Sequence, residues 1–169
     1  MIIPYNAQGG IVNGPVTGLP IPRFVSLKSK TVNMRVGPGL QYAIAWLYRK
    51  RGLPVEVIQE FERWRRIRDS EGTTGWVLHS LLSSKRTAIV APWAAHRNSQ
   101  ENDKKNISVF SGKKMAATDS LTIVHLQAGL VVSIEYCYQN WCKINAHSTR
   151  AWMKQDSLWG IYPGEKINR

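Results

Sequence analysis

The stretch from Gly52 to Arg68 can be laid on the stretch from Gly129 to Asn145 without a gap, at an offset of 77 residues. Gly52/Gly129, Leu53/Leu130, Val55/Val132, Trp64/Trp141 and Ile67/Ile144 coincide, and Val57/Ile134 and Arg66/Lys143 are conservative. One deletion later, at an offset of 76, Trp76-Val77 falls on Trp152-Met153 and Leu82 on Leu158. A chain that repeats itself in this way folds one unit twice, and two copies make a pair of similar domains of roughly 55 residues each rather than a solenoid.

Each copy follows the same local logic. A Gly breaks the chain, an apolar-alternating strand follows, a polar turn reverses it, and a strand with Trp and Ile returns to a Gly-rich turn and a last Trp-containing strand. That pattern predicts a twisted meander. Strands this short cannot cover both faces of an open sheet, so closure into a small barrel is expected. The flanks set the expected boundaries. Residues 1–22 read as an extended N-terminal arm, 23–90 as the first domain, 91–106 as a polar linker, 107–160 as the second domain and 161–169 as a tail. The linker is placed on Arg97 to Asn106, which carries no apolar residue. No apolar run reaches the ~18 residues of a membrane span.

A family resemblance rests on particular residues. Val32-Asn33-Met34-Arg35-Val36-Gly37-Pro38-Gly39, then Gly52-Leu53-Pro54-Val55-Glu56-Val57, Trp64-Arg65-Arg66-Ile67, Gly72 and Gly75-Trp76-Val77 through Leu81-Leu82, resemble a bacterial SH3-like domain in order and spacing. The second copy departs from the family pattern, with Ser108-Val109-Phe110-Ser111-Gly112 in place of an Asn-x-Arg-x-Gly-Pro stretch and Ala151 in place of Gly75. The resemblance implies an all-β protein of two tandem small SH3-like β-barrels joined by a polar linker. It further implies an exported or envelope protein that binds cell-wall material, peptides or protein partners without catalysis.

The two cysteines are placed by the hairpin itself. A two-residue reversal at Gln139-Asn140 sets Tyr138 opposite Trp141 and Cys137 opposite Cys142, and the equivalent pair in the first copy is Glu60 and Arg65, of opposite charge. Cross-strand Cα atoms ~4.5 Å apart permit a disulfide. A structural disulfide is therefore expected ahead of two buried thiols, and both ahead of redox or metal chemistry, which a Cys-x₄-Cys within strands does not suit. The bridge argues for an oxidising compartment, periplasmic or secreted, although the amino terminus shows no export signal.

No catalytic constellation emerges. Gly37-Pro38-Gly39 lacks the following Lys-Ser/Thr of a phosphate loop and reads as a turn; Gly112-Lys113-Lys114 lacks an upstream glycine in register. Asp69 and Glu71 read as a solvated turn, and Cys142 with His147 has no pocket around it. No cofactor or metal site is expected.

Charge points to the partner. With 23 Lys+Arg against 11 Asp+Glu the chain carries a formal +12, which suits an anionic cell-wall component, a peptide or an envelope protein, with nucleic acid as the runner-up. A targeting or assembly role in a larger envelope complex is a third class. Strand alternation puts Arg65 and Ile67 on one face and Trp64 and Arg66 on the other, so Trp64 is expected to look outward. Tyr42, Tyr48, Trp64, Arg66 and Trp76 are the expected floor of an aromatic groove, with Arg49, Lys50, Arg51 and Arg68 as its basic rim. Trp46, Trp93 and Trp159 are assigned to packing or linker contacts.

Overall fold

The protein is described by a computed structural model over residues 11–95, 106–110, 122–147 and 149–168. A small hairpin, β1 (Val12–Asn13) with β2 (Pro20–Ile21), opens the described chain. Then β3 (Arg23–Leu27), β4 (Val32–Arg35), β5 (Ile44–Tyr48), β6 (Pro54–Phe61), β7 (Trp64–Arg68), β8 (Thr74–Leu78) and β9 (Leu82–Ser83) form one sheet in the order β5-β4-β8-β7-β6-β3-β9. A second set follows: β10 (Thr87–Val90), β11 (Asn106–Phe110), β12 (Thr122–Gln127), β13 (Val131–Tyr138), β14 (Trp141–Ala146), β15 (Thr149–Lys154) and β16 (Leu158–Trp159). Its order, β12-β11-β15-β14-β13-β10-β16, repeats the first strand for strand.

The duplication reaches single hydrogen bonds. Gly52, at φ 77°, donates to the Leu27 carbonyl, and Gly129, at φ 86°, donates to the Val90 carbonyl. Both glycines hold a left-handed conformation that a side chain would strain. The long hairpin carries the same irregularity in each copy. Register slips between Val57 and Gln59 in β6 and between Ile134 and Tyr136 in β13, so Ile58 and Glu135 are the extra residues of equivalent bulges. Beyond the bulge Glu60 pairs with Arg65 and Cys137 with Cys142, as the reversal over two residues requires.

Alternation fills two cores. In the first, Leu27, Val32, Met34, Val55, Val57, Ile67 and Val77 are all but fully buried; in the second Val132, Ile144, Met153 and Val90 are. Each such side chain contributes roughly 1.5–3 kcal/mol relative to exposure.

The sheet pairing bears on the flanks. Thr87–Val90 lies within the span read as the first domain, yet it pairs with β13 and β16 in the second sheet. The second copy needs its own counterpart of β3, and this strand supplies it. Ala91 then sits in the second core, and Pro92–Ala95 form a short helix before the polar stretch, whose residues 96–105 lie outside the described set. We propose the boundary between the units at residues 84–86.

The described part of the arm is anchored on Glu60. Glu60, with no side-chain exposure, accepts from the Val16 and Thr17 amides at 3.0 and 2.9 Å, the Thr17 hydroxyl at 2.6 Å and Arg23 at 2.8 Å, and Arg65 Nε lies 3.5 Å away. The tail docks likewise. Ile167 bridges Cys137 through paired backbone bonds, and Glu165 binds Arg86.

The two units touch through polar and aromatic contacts. Thr87 Oγ1 donates to the Gly52 carbonyl at 2.7 Å and the Tyr162 hydroxyl donates to Glu56 at 2.7 Å. Phe24 packs edge-on against Trp159 and at a tilt against Tyr162, with ring centroids 5.1 and 4.7 Å apart. Trp159 is thus a packing residue, as expected, and it packs between the copies.

Candidate functional site

A row of outward-facing side chains crosses the first sheet at one level. Register places Gln59 of β6 beside Arg66 of β7, Arg66 beside Trp76 of β8, Trp76 beside Arg35 of β4, and Arg35 beside Ile44 of β5. Directly paired residues share a face. Because Ile67 and Val77 point into the core, this row points out. Trp76, half-buried, therefore lies between two guanidinium-bearing strands.

Tyr42 joins the row through the turn that precedes β5. Arg35 Nη1 donates to the carbonyls of Leu40 and Tyr42, at 3.2 and 2.7 Å, and so ties the Gly37-Pro38-Gly39 turn to the sheet. The Tyr42 ring lies over Gly37, where any Cβ would come within 2.5 Å of it. The glycine is needed for that close approach. It builds a turn, as read from the sequence, and holds an exposed tyrosine next to the row.

Of the expected groove residues, Arg66 and Trp76 are cross-strand neighbours in a row with Arg35 and Ile44, and Tyr42 is tied to Arg35 through its carbonyl. Tyr48 does not: it is buried in the first core, and its hydroxyl donates to Asp69 at 2.9 Å. Burial, then the bond to Asp69, pushes that hydroxyl well above the ordinary tyrosine range. Asp69 also accepts from the amides of Glu71 and Thr73, so it caps a turn.

Trp64 is only 8% exposed, against the expectation of an outward, accessible ring. Alternation put it on the correct side, opposite Arg65 and Ile67. Its cross-strand neighbours, Phe61 on one side and Leu78 on the other, leave it flanked by apolar groups at the turn end of the hairpin.

The basic rim divides. Arg68 is committed to buried Glu56, with Nε 2.9 Å from the carboxylate. Arg49, Lys50 and Arg51 are exposed, but they follow the far end of β5, roughly 15 Å along the strand from Ile44. Trp46, assigned to packing, is 54% exposed on that same edge strand, and sequence reasoning missed it. The signal that could have found it is the edge position of β5.

The second copy closes the equivalent row. Tyr136 stands where the first copy has Gln59, and it packs edge-on against Trp152 with centroids 5.0 Å apart. Trp152 is buried, Lys143 lies over Tyr136, and Phe110 occupies the register position of Arg35. Lys143 and Arg150 both pair with Glu135, the bulge residue; burial raises the Glu135 carboxyl, but Arg150 and Lys143 outweigh that and lower it overall. Arg66, by contrast, meets no acid among the described residues. The open, cationic row belongs to the first copy.

Cys137 and Cys142 form the expected disulfide, with Cα atoms 4.1 Å apart. No group of His, Cys, Asp and Glu that could hold a metal occurs among the described residues, nor is any described helix long and apolar enough to cross a membrane.

The bacterial SH3 domain family matches the chain at residues 28–84 and again at 114–160. No curated protein matches. Among solved structures, NlpC2 from Trichomonas vaginalis aligns over 82% of this chain and 48% of its own, at 12% identity and a TM-score of 0.34. NlpC1 from the same organism aligns over 88% and 48%, at 10% identity and the same TM-score of 0.34. The chain spans about half the length of these structures.

Proposed function

Since the chain belongs to the bacterial SH3 domain family and carries two such domains in tandem, we propose that it is a non-catalytic binding module of the cell envelope. Its ligand is cell-wall material of the peptidoglycan type, held on the first domain by Tyr42, Ile44, Trp76, Arg35 and Arg66. The observation that carries this reading is the open Trp76 between Arg35 and Arg66, set against its closed counterpart Trp152. A flat ring offers apolar area at low entropic cost, and a planar guanidinium on each side suits the carboxylates of a stem peptide. The second domain then serves as a brace, fixed to the first through Glu56, Tyr162 and Phe24.

The cystine supports an oxidising address, periplasmic or secreted. The +12 charge also suits a nucleic-acid ligand, with bases on Trp76 and phosphates on the arginines. Retention on purified sacculi, run beside a salt-titrated oligonucleotide binding assay, separates the two. Sacculus retention that Arg66→Glu abolishes supports the proposal. Oligonucleotide affinity that falls steeply with salt, without sacculus retention, moves the ligand to nucleic acid.

A further inference from the structure

A sheet edge is a template for another chain, and proteins normally cover it, charge it or keep it short. This protein manages several of its edges in that way. The strand at one end of the first sheet, β9, has two residues. The part of β6 beyond its pairing with β3 carries the arm on Glu60, and the equivalent part of β13 carries Ile167. At the other end of the first sheet β5 is different. It is five residues long, pairs on one side only among the described residues, and exposes Ile44, Trp46 and Leu47.

The register slip between Met34 and Arg35 divides those side chains between the two faces. Ile44 pairs with Arg35 and Leu47 with Asn33 on the outer face, whereas Trp46 pairs with the core residue Met34. A strand added beside β5 would thus find apolar ground on both faces. The edge of the second copy is unlike it, since in β12 Leu126 is buried while His125 and Gln127 are exposed.

Charge selects the occupant. From buried Tyr48 the first copy reaches Gly52 through Arg49-Lys50-Arg51, all exposed; from buried Leu126 the second reaches Gly129 through Gln127-Ala128. Arg35 adds a cation at the other end of the edge. A second copy of a +12 chain would bring the same cations to this edge and be repelled. We propose that β5 is a strand-addition site for an extended, acidic segment of another polypeptide. Its backbone would pair with Ile44–Tyr48, its apolar side chains on one face would cover Ile44 and Leu47 and those on the other face Trp46, and carboxylates at the end of the segment would meet Arg49, Lys50 and Arg51. This site shares Ile44 and Arg35 with the Trp76 row but takes a different partner, on the free backbone of β5, and the two assays below score the two readings separately.

The test is an NMR titration of the full ¹⁵N-labelled chain with a synthetic peptide of five Val and Thr residues, apolar on both faces, that ends in Glu and Asp residues. Expected are amide shifts and at least tenfold slower exchange confined to β5. The Arg49→Glu/Arg51→Glu variant, verified as folded by its own spectrum, should bind at least tenfold more weakly, and a peptide N-methylated at alternate backbone nitrogens should not bind. No binding at millimolar peptide, equal binding of the same peptide with Lys for its acids, or shifts that map away from β5 would each overturn the proposal. Sacculus retention of the unlabelled wild type scores the cell-wall reading separately.

Discussion

Replacing Glu60 by Gln keeps the shape of a side chain that holds the arm and leaves its charge out. The carboxylate accepts from Val16, Thr17 and Arg23 and lies beside the buried Arg65. A carboxamide turned either way presents an NH₂ to donors it cannot accept from, and it leaves Arg65 without its counter-charge. Removing one partner of a buried ion pair costs about 3–5 kcal/mol. Release of the arm lets its amides find water, so the lower end applies, about 3 kcal/mol or a fall in Tm of roughly 6–12 °C. The electrostatics around the carboxylate point the same way. Burial by itself would raise the Glu60 carboxyl, but the bonds from Thr17, Arg23 and Val16 outweigh it and hold it at about 2, against an ordinary 4.5. Such a drop is worth on the order of 3 kcal/mol. A carboxyl depressed in the folded state stabilises above its unfolded value and loses that contribution as pH falls through its folded one. Urea melts from pH 7 down to pH 2 should therefore show the wild type losing its advantage over Glu60→Gln between about pH 4.5 and 2. A variant within 1 kcal/mol of wild type at pH 7, or a gap that does not narrow in acid, would refute the reasoning.

Trp64→Ala, at a buried ring, should cost about 3–5 kcal/mol in stability, whereas Trp76→Ala should leave the melt within about 1 kcal/mol and remove sacculus retention. The Cys137–Cys142 bridge closes a loop of only about six residues, so its reduction should lower stability in thermal melts by roughly 2 kcal/mol at most; thiol counting on the unfolded, non-reduced protein should find none free. Gly75→Ala should lose about 1–3 kcal/mol by calorimetry, because its Cβ would stand 2.6 Å from Met34 Cγ and 2.9 Å from the Arg35 carbonyl oxygen.

The repeat made the fold legible. An offset of 77 residues carried the register of one hairpin onto the other, and the cysteine pair followed from the turn alone. Thr87–Val90 was hidden because the polar run after it looks like a boundary between domains, while pairing with β13 makes that run an insertion within the second unit. Of the site, alternation along β7 gave the face of Trp64 correctly, yet a face is not an exposure, and Phe61 and Leu78 come from strands whose register one chain does not announce. Arg35 was visible only as a family motif residue. Its place beside Trp76 depends on β4 meeting β8, a pairing between strands distant in sequence. The run Arg49-Lys50-Arg51 was read as a rim, but strand length sets it apart from the aromatic row.

The most direct measurement is a chemical-shift map of the labelled chain titrated with soluble peptidoglycan fragments. The account predicts perturbations that gather on the Trp76 indole and the amides of Arg35, Ile44 and Arg66, with Trp152 and its neighbours silent. Shifts centred on the second domain, or an unperturbed spectrum at saturating fragment, would contradict it.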